Sequence, residues 1–220
     1  MHLFLDTANI DHIRRAAKLG IISGITTNPS LVAKEKCANY RDYIQEICSI
    51  INVPISVEAL SKDATALVDE AKEIASWADN IVVKIPITEQ GIEATSRLSR
   101  EGIKVNLTLC FSVNQALLAA LSGATYVSPF VGRLDDIGEN GMQLVADIVG
   151  VYNIYHYPTQ VIAASIRHPM HCVAAARAGA HIATVPYNIL MQMFEHPLTT
   201  NGIARFLQDF AGLQAPGDKR

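Results

Sequence analysis

The feature that most constrains this chain is a short apolar run that recurs eight times along its length. The runs are LFLD at Leu3, GITT around Ile25, ISVE at Ile55, IVVK at Ile81, KVNLT around Val105, TYVSPF around Val127, VIAAS at Val161 and IATVP at Ile182. Their β-branched content and near-continuous hydrophobicity suit strands buried on both faces, as parallel strands are. Helical spacing fills the gaps. Residues 63–77 place Ala64, Leu67, Val68, Ala71, Ile74 and Ala75 on one face and acids and lysines on the other, and residues 90–100 and 112–121 follow the same pattern. Asn28 before Pro29, and Pro169 after the seventh run, mark helix starts. Strand and helix therefore alternate eight times. This pattern predicts an α/β fold, a (β/α)8 TIM barrel forming one domain over residues 1–220. The 220 residues suffice, since such barrels need roughly 200 to 250. Beyond the eighth unit, Ile203, Phe206, Leu207, Phe210 and Leu213 form an apolar stripe that predicts an additional C-terminal helix over about 199–213. That helix caps its own barrel or docks on a neighbouring subunit. The tail from Ala215 onward is expected to fray.

Composition removes several classes of function. Hydrophobic residues make up 50% of the chain and charged residues 18%, which is too apolar for a disordered protein. No apolar run reaches membrane-spanning length. A net charge of -3 gives no chain-wide attraction to nucleic acid or anionic membrane, so any anion site must be local. The opening MHLFLDT lacks the basic flank and cleavage site of a secretory leader, which predicts a cytoplasmic protein. Cys37, Cys48, Cys110 and Cys172 contain no CxxC pair and read as reduced packing residues.

Barrel enzymes carry their chemistry at the C-terminal mouth, where strand ends converge. Asp6, Asn28, Glu58, Lys84, Asn106, Thr108, Ser128 and Ser165 all stand at or just past the end of an apolar run. Asn106 and Thr108 are two apart and so face the same side. Lys84 follows Ile81, Val82 and Val83 and precedes Ile85 and Pro86. A lysine held among aliphatic side chains has its charged form disfavoured, which makes the neutral amine available as a nucleophile. Lys104 is a control: it precedes its strand's core, and the opposite mouth lets it reach water. An isolated strand-end lysine is more often structural, snorkelling to solvent or pairing with Glu58. The company of polar residues at so many other strand ends reverses that preference. Asp6 and Glu58 supply two carboxylates able to move protons, or simply to balance Lys84. Arg133, Arg167 and Ser165 follow strands six and seven and suit a phosphate, because the guanidinium fork donates paired hydrogen bonds, although an arginine in such a place is by itself more often a plain surface residue. Asp135 and Asp136 are expected to cap or charge-complement the next helix. His168 and His171 have no third ligand nearby in sequence, so no metal site is predicted.

These motifs together resemble the transaldolase family, in particular its small-subunit branch, which also contains fructose-6-phosphate aldolases. The resemblance runs through FLDTAN at Phe4, GITTNPS at Gly24, SVEA at Ser56, VVKIP at Val82, VNLTLCFS at Val105, SPFVGRLDD at Ser128 and AASIR at Ala163. It implies that Lys84 forms a Schiff base, Asp6 takes the C4 hydroxyl proton, and Glu58 acts through a water held with Thr108. It further implies that Asn28, Asn106 and Ser128 bind the hydroxyls of a dihydroxyacetone unit, and that Arg133, Arg167 and Ser165 hold the phosphate. The implied substrates are sugar phosphates of the pentose phosphate pathway. No metal or organic cofactor is implied, since the iminium is the electron sink. The implied assembly is a homo-oligomer of pentamers stacked into decamers. Fructose-6-phosphate aldolases carry a tyrosine where this chain has Phe130 and a glutamine where it has Glu58, whereas transaldolases carry Phe and Glu. Both positions therefore resemble transaldolase.

Overall fold

A computed structural model describes residues 1–214. Strand and helix alternate from the start: β1 (His2–Asp6), α1 (Ile10–Ala17), β2 (Ile22–Thr26), α2 (Pro29–Lys34), α3 (Tyr40–Ile50), β3 (Ile55–Glu58), α4 (Ala64–Ala75) and β4 (Ile81–Pro86). The chain continues with α5 (Glu89–Arg100), β5 (Val105–Cys110), α6 (Val113–Leu121), β6 (Tyr126–Pro129), α7 (Val131–Asp135) and α8 (Gly141–Tyr155). It ends with β7 (Gln160–Ala163), α9 (Pro169–Arg177), β8 (Ile182–Pro186), α10 (Tyr187–Gln192) and α11 (Pro197–Gln214). All eight strands pair in parallel and in sequence order, and β1 pairs β8, so the sheet closes. The (β/α)8 reading of the sequence holds.

Local chemistry sets the helix starts. Asn9, Asn28, Asn39, Asp63, Thr88, Ser112 and Asn140 each accept a hydrogen bond from the backbone N–H three residues on, satisfying a donor that the helix itself leaves free. The expected helix after Asn28 and Pro29 is present, with Asn28 as the cap and Pro29 at its first position. Proline also opens α9 and α11, where its missing N–H costs nothing. α11 therefore begins two residues before the expected boundary.

Two apolar layers hold the barrel. Outward-facing strand residues such as Val57, Val83, Leu107, Val127 and Val185 pack against the helix ring in one continuous core. Inside, Phe4, Val82, Tyr126, Ile162 and Ile182 form a plug. Gly24 is required by that plug, since a Cβ there would stand 2.3 Å from the Phe4 ring. Strand side chains alternate with a period of two, so the residue two positions beyond each plug residue faces inward one layer higher. Those residues are Asp6, Lys84, Ser128, Ala164 and Thr184. The apolar plug thus seals the barrel floor and places a polar layer at the C-terminal mouth.

α11 is different. Leu198, Ile203, Phe206, Leu207, Phe210 and Leu213 are all exposed, between 54% and 84%. Its apolar stripe is not covered by its own barrel. The tail expected to fray lies outside the described residues. Among the described residues, no helix is long and apolar enough to cross a membrane.

Candidate active site

β4 delivers Lys84 into the barrel interior, where its side chain is 7% exposed. Its Nζ donates to the Thr27 carbonyl at 3.0 Å and lies 3.2 Å from Glu58 Oε2. The parallel register sets this pair, because Glu58 and Lys84 are Cα partners across β3 and β4. Glu58 is 9% exposed, so charge and counter-charge are buried together. Lys104, by contrast, is exposed beside Asn52, Pro54 and Asp79 at the other end of the barrel.

Asp6 ends β1. Its Oδ1 accepts from the Thr26 hydroxyl at 2.8 Å, and Thr26 Oγ1 lies 2.6 Å from Thr184 Oγ1. Burial pushes the Asp6 carboxyl above the ordinary carboxylate range; the Thr26 hydrogen bond and the Lys84 charge pull it back, and Glu58 adds to the rise.

β5 and β6 contribute a second polar chain. Ser128 donates to Asn106 Oδ1 at 2.8 Å, and the Asn106 amide donates to Ser56 at 3.1 Å. Asn106 is fully buried, and it lies behind Ser128 rather than on the cavity wall. Thr108, two residues on, does reach the cavity, and its buried hydroxyl has no hydrogen-bond partner within the protein. Leu109 follows in the left-handed region, φ 58°, where the β5–β6 register breaks between Leu107 and Cys110.

Two connected cavities meet over Lys84, and both include Asn28, Phe130 and Arg133. The first, about 150 Å³, extends past Asp6 and Ser128 to Ser165 and Arg167. The second, about 400 Å³, extends past Glu58 and Thr108 to Ser30, Leu31 and Leu109. Asn28 caps α2 with its carbonyl oxygen, which leaves its amide N–H groups to serve the cavity. The Arg133 guanidinium lies 4.7 Å from the Phe130 ring centre, and Phe111 meets the same ring edge-on.

Arg167 reaches the cavity along a constrained path. Ser165 adopts the left-handed conformation, φ 59°, which is costly for a residue with a Cβ. The Arg167 N–H donates to His171 Nδ1 at 3.3 Å, leaving the proton of the neutral ring on Nε2, 3.1 Å from Asp135 Oδ2. Burial, and the neighbouring His168, hold His171 below its ordinary pKa. Asp135 also accepts from the Gly141 N–H at the start of α8, as expected. Asp136 departs from expectation: it pairs with Arg167 at 2.8 Å, since it lies just past the end of α7 and faces the arginine. Gly132 makes room, for a Cβ there would stand 2.6 Å from the Arg167 side chain.

Of the residues expected at the mouth, only Asn106 is set back from the cavities. Thr26, Thr184, Ser56 and Gly132 were not anticipated, and Asp136 was expected only at the start of the next helix. Thr184 carried a readable signal, a hydroxyl inside the otherwise apolar run IATVP. Thr26 stands two positions before Asn28 and so belonged to the same line.

A family model described as Transaldolase/Fructose-6-phosphate aldolase matches residues 3–216. The chain belongs to the transaldolase/fructose-6-phosphate aldolase family. Among its relatives, a protein from Dehalococcoides mccartyi named probable transaldolase is 57% identical over 97% of this chain and 100% of its own length. Another of that name from Heliobacterium modesticaldum is 57% identical over 97% of this chain and 99% of its own. A third, from Thermoanaerobacter sp., is 56% identical over 97% of this chain and 100% of its own. The resemblance first drawn from seven motifs therefore extends over the transaldolase/fructose-6-phosphate aldolase barrel as a whole.

Proposed function

We propose that this protein is a transaldolase, moving a dihydroxyacetone unit between a ketose phosphate and an aldose phosphate through a Schiff base on Lys84. The observation that carries this reading is a buried lysine beside one carboxylate, with a second carboxylate and two arginines on the wall of the same cavity. The donors are fructose 6-phosphate or sedoheptulose 7-phosphate, and the acceptors are glyceraldehyde 3-phosphate or erythrose 4-phosphate, within the pentose phosphate pathway.

Before attack, Lys84 transfers its proton toward Glu58, 3.2 Å away, and the neutral amine adds to the ketose C2 carbonyl. The carbinolamine loses water to give the iminium. Glu58 serves that water together with Thr108, whose unpartnered hydroxyl offers both a donor and an acceptor. Asp6 takes the C4 hydroxyl proton, the C3–C4 bond breaks, and its electrons pass into the iminium as an enamine. Burial makes Asp6 a stronger base than a solvated carboxylate. The aldose phosphate leaves, the enamine attacks an acceptor aldehyde, Asp6 returns the proton to the new hydroxyl, and hydrolysis frees Lys84. Asn28 and Ser128 bind the hydroxyls of the bound unit, with Asn106 orienting Ser128. Arg133, Arg167 and Ser165 take the phosphate, with Asp136 holding Arg167 until the anion replaces it.

Phe130 and Glu58 favour transfer over release of free dihydroxyacetone. A tyrosine at position 130 would place a proton donor over the enamine, and phenylalanine does not. Borohydride with fructose 6-phosphate should trap a three-carbon adduct on the peptide containing Lys84. Transfer to an acceptor should outrun release of dihydroxyacetone. Absence of the adduct from a turning-over enzyme would refute the Schiff base, and equal rates would make the protein an aldolase.

The exposed stripe on α11 supports a homo-oligomer in which this helix packs on another copy of the chain. Pentamers and decamers are the assemblies that the resemblance implies. Four free thiols support a reducing, cytoplasmic setting, with the whole chain working as one barrel domain.

A further inference from the structure

Thr26 Oγ1 stands 2.8 Å from Asp6 Oδ1 and 2.6 Å from Thr184 Oγ1. A hydroxyl has one proton to give. An ionised Asp6 has none, so Thr26 donates to Asp6 and Thr184 must donate to Thr26. The direction of the chain is therefore set by its end. Both threonines are 3% exposed on the cavity wall, so water competes little for these bonds. The backbone fixes the geometry as well. Asp6 and Thr26 are Cα partners across β1 and β2, Thr184 is partnered with Phe4 across β1 and β8, and β-branched threonine has few χ1 choices.

We propose that Thr184 and Thr26 form a hydroxyl relay that positions Asp6, engaging Oδ1 and leaving Oδ2 as the oxygen that exchanges the proton with the substrate. The inference rests on the reading of Asp6 as the base. Thr184 acts at one remove, through Thr26, and is a positioning residue. The relay serves both halves of the cycle. When the substrate proton sits on Oδ2, Oδ1 still accepts from Thr26, so no hydroxyl has to reorient.

Other charged groups also face Asp6. Glu58 and Lys84 approach from β3 and β4, and Arg133 and Arg167 share its cavity. On the side of α1 and α2, His12, Lys34 and Glu35 share a further cavity with it. Removing a hydroxyl changes none of these charges, which isolates the relay.

The test is Thr184→Val, nearly isosteric, beside Thr184→Ser, Thr26→Val and Asp6→Asn, all in the full-length protein. Thr184→Val weakens the donor that steadies the carboxylate. It should move the acid limb of the kcat/KM profile to higher pH and lower kcat about tenfold, part of the hundredfold or more that a positioned base contributes. Thr26→Val should move both further, and Thr184→Ser should restore both. Borohydride trapping of free dihydroxyacetone, supplied directly to the protein in place of fructose 6-phosphate, should stay at the parent level in Thr184→Val, because imine formation on Lys84 does not use the relay. The relay is refuted if Thr184→Val keeps the parent pH profile and kcat, if it raises KM alone, or if it loses the trapped adduct. Substantial turnover by Asp6→Asn would instead defeat the assignment of the base, a distinct failure.

Discussion

Replacing Lys84 with methionine removes the nucleophile and also breaks a buried ion pair, and the second effect has a predictable size. The Lys84 and Glu58 side chains are only 7% and 9% exposed, so methionine leaves a largely buried carboxylate without its counter-charge. Breaking such a pair from one side costs roughly 3–5 kcal/mol. For a chain of 220 residues, 1 kcal/mol moves Tm by roughly 2–4 °C, so a loss of about 3 kcal/mol corresponds to a fall of about 6–12 °C. The logic is sharpest in the double variant. Lys84→Met with Glu58→Leu removes both charges and their desolvation together, and such replacements are neutral or stabilising by roughly 1–4 kcal/mol. The double variant should therefore melt at or above the parent, although the single variant melts well below it. The assay is calorimetric melting at one fixed protein concentration, since association shifts Tm by mass action. A Lys84→Met protein that melts within about 2 °C of the parent, roughly 1 kcal/mol or less, would refute the claim that the pair is buried and coupled. So would a double variant less stable than the single one. Neither variant should turn over.

Asp6→Asn should raise Tm at neutral pH while abolishing transfer. The folded state lifts the Asp6 carboxyl above its ordinary value near 3.8, so folding binds its proton more tightly. That stabilising contribution is complete below the ordinary value and is lost as pH rises through the raised one. Once the pH exceeds the ordinary value, ionisation of the unfolded chain works against folding, a burden that asparagine removes, and an unchanged or lower Tm would contradict this. Gly132→Ala should raise KM for phosphorylated substrates, because its Cβ would stand 2.3 Å from the Ser165 carbonyl oxygen and 2.6 Å from the Arg167 side chain, so the segment carrying both phosphate-binding residues must shift. Turnover of a substrate lacking phosphate should change little, and equal losses on both would place the fault elsewhere. Deleting residues 199–220 should lower the solution mass measured by light scattering, and an unchanged oligomer would remove α11 from the interface.

The sequence by itself determined the strands, because a run buried on both faces leaves an apolar signature that no neighbour needs to supply. It fixed the helix starts at Asn28, Asp63 and Ser112 for a similar reason: an N-cap and the N–H it serves are only three residues apart. Strand-end polarity likewise exposed Asp6, Glu58 and Lys84, since the period of two in a strand is local. Closure of the barrel was different, being a contact between β1 and β8 across almost the whole chain. Only the tertiary structure decided that Thr184, Thr26 and Asp6 lie in one hydrogen-bonded chain, that Asn106 stands behind Ser128, and that Asp136 holds Arg167. Each depends on register between strands or on the fold of a loop, where a shift of one residue would turn the side chain to the other face. Lys84 shows the division most clearly. Its apolar neighbours could be read along the chain, but Glu58 and the Thr27 carbonyl, which accept from its Nζ, meet it only because three strands lie side by side.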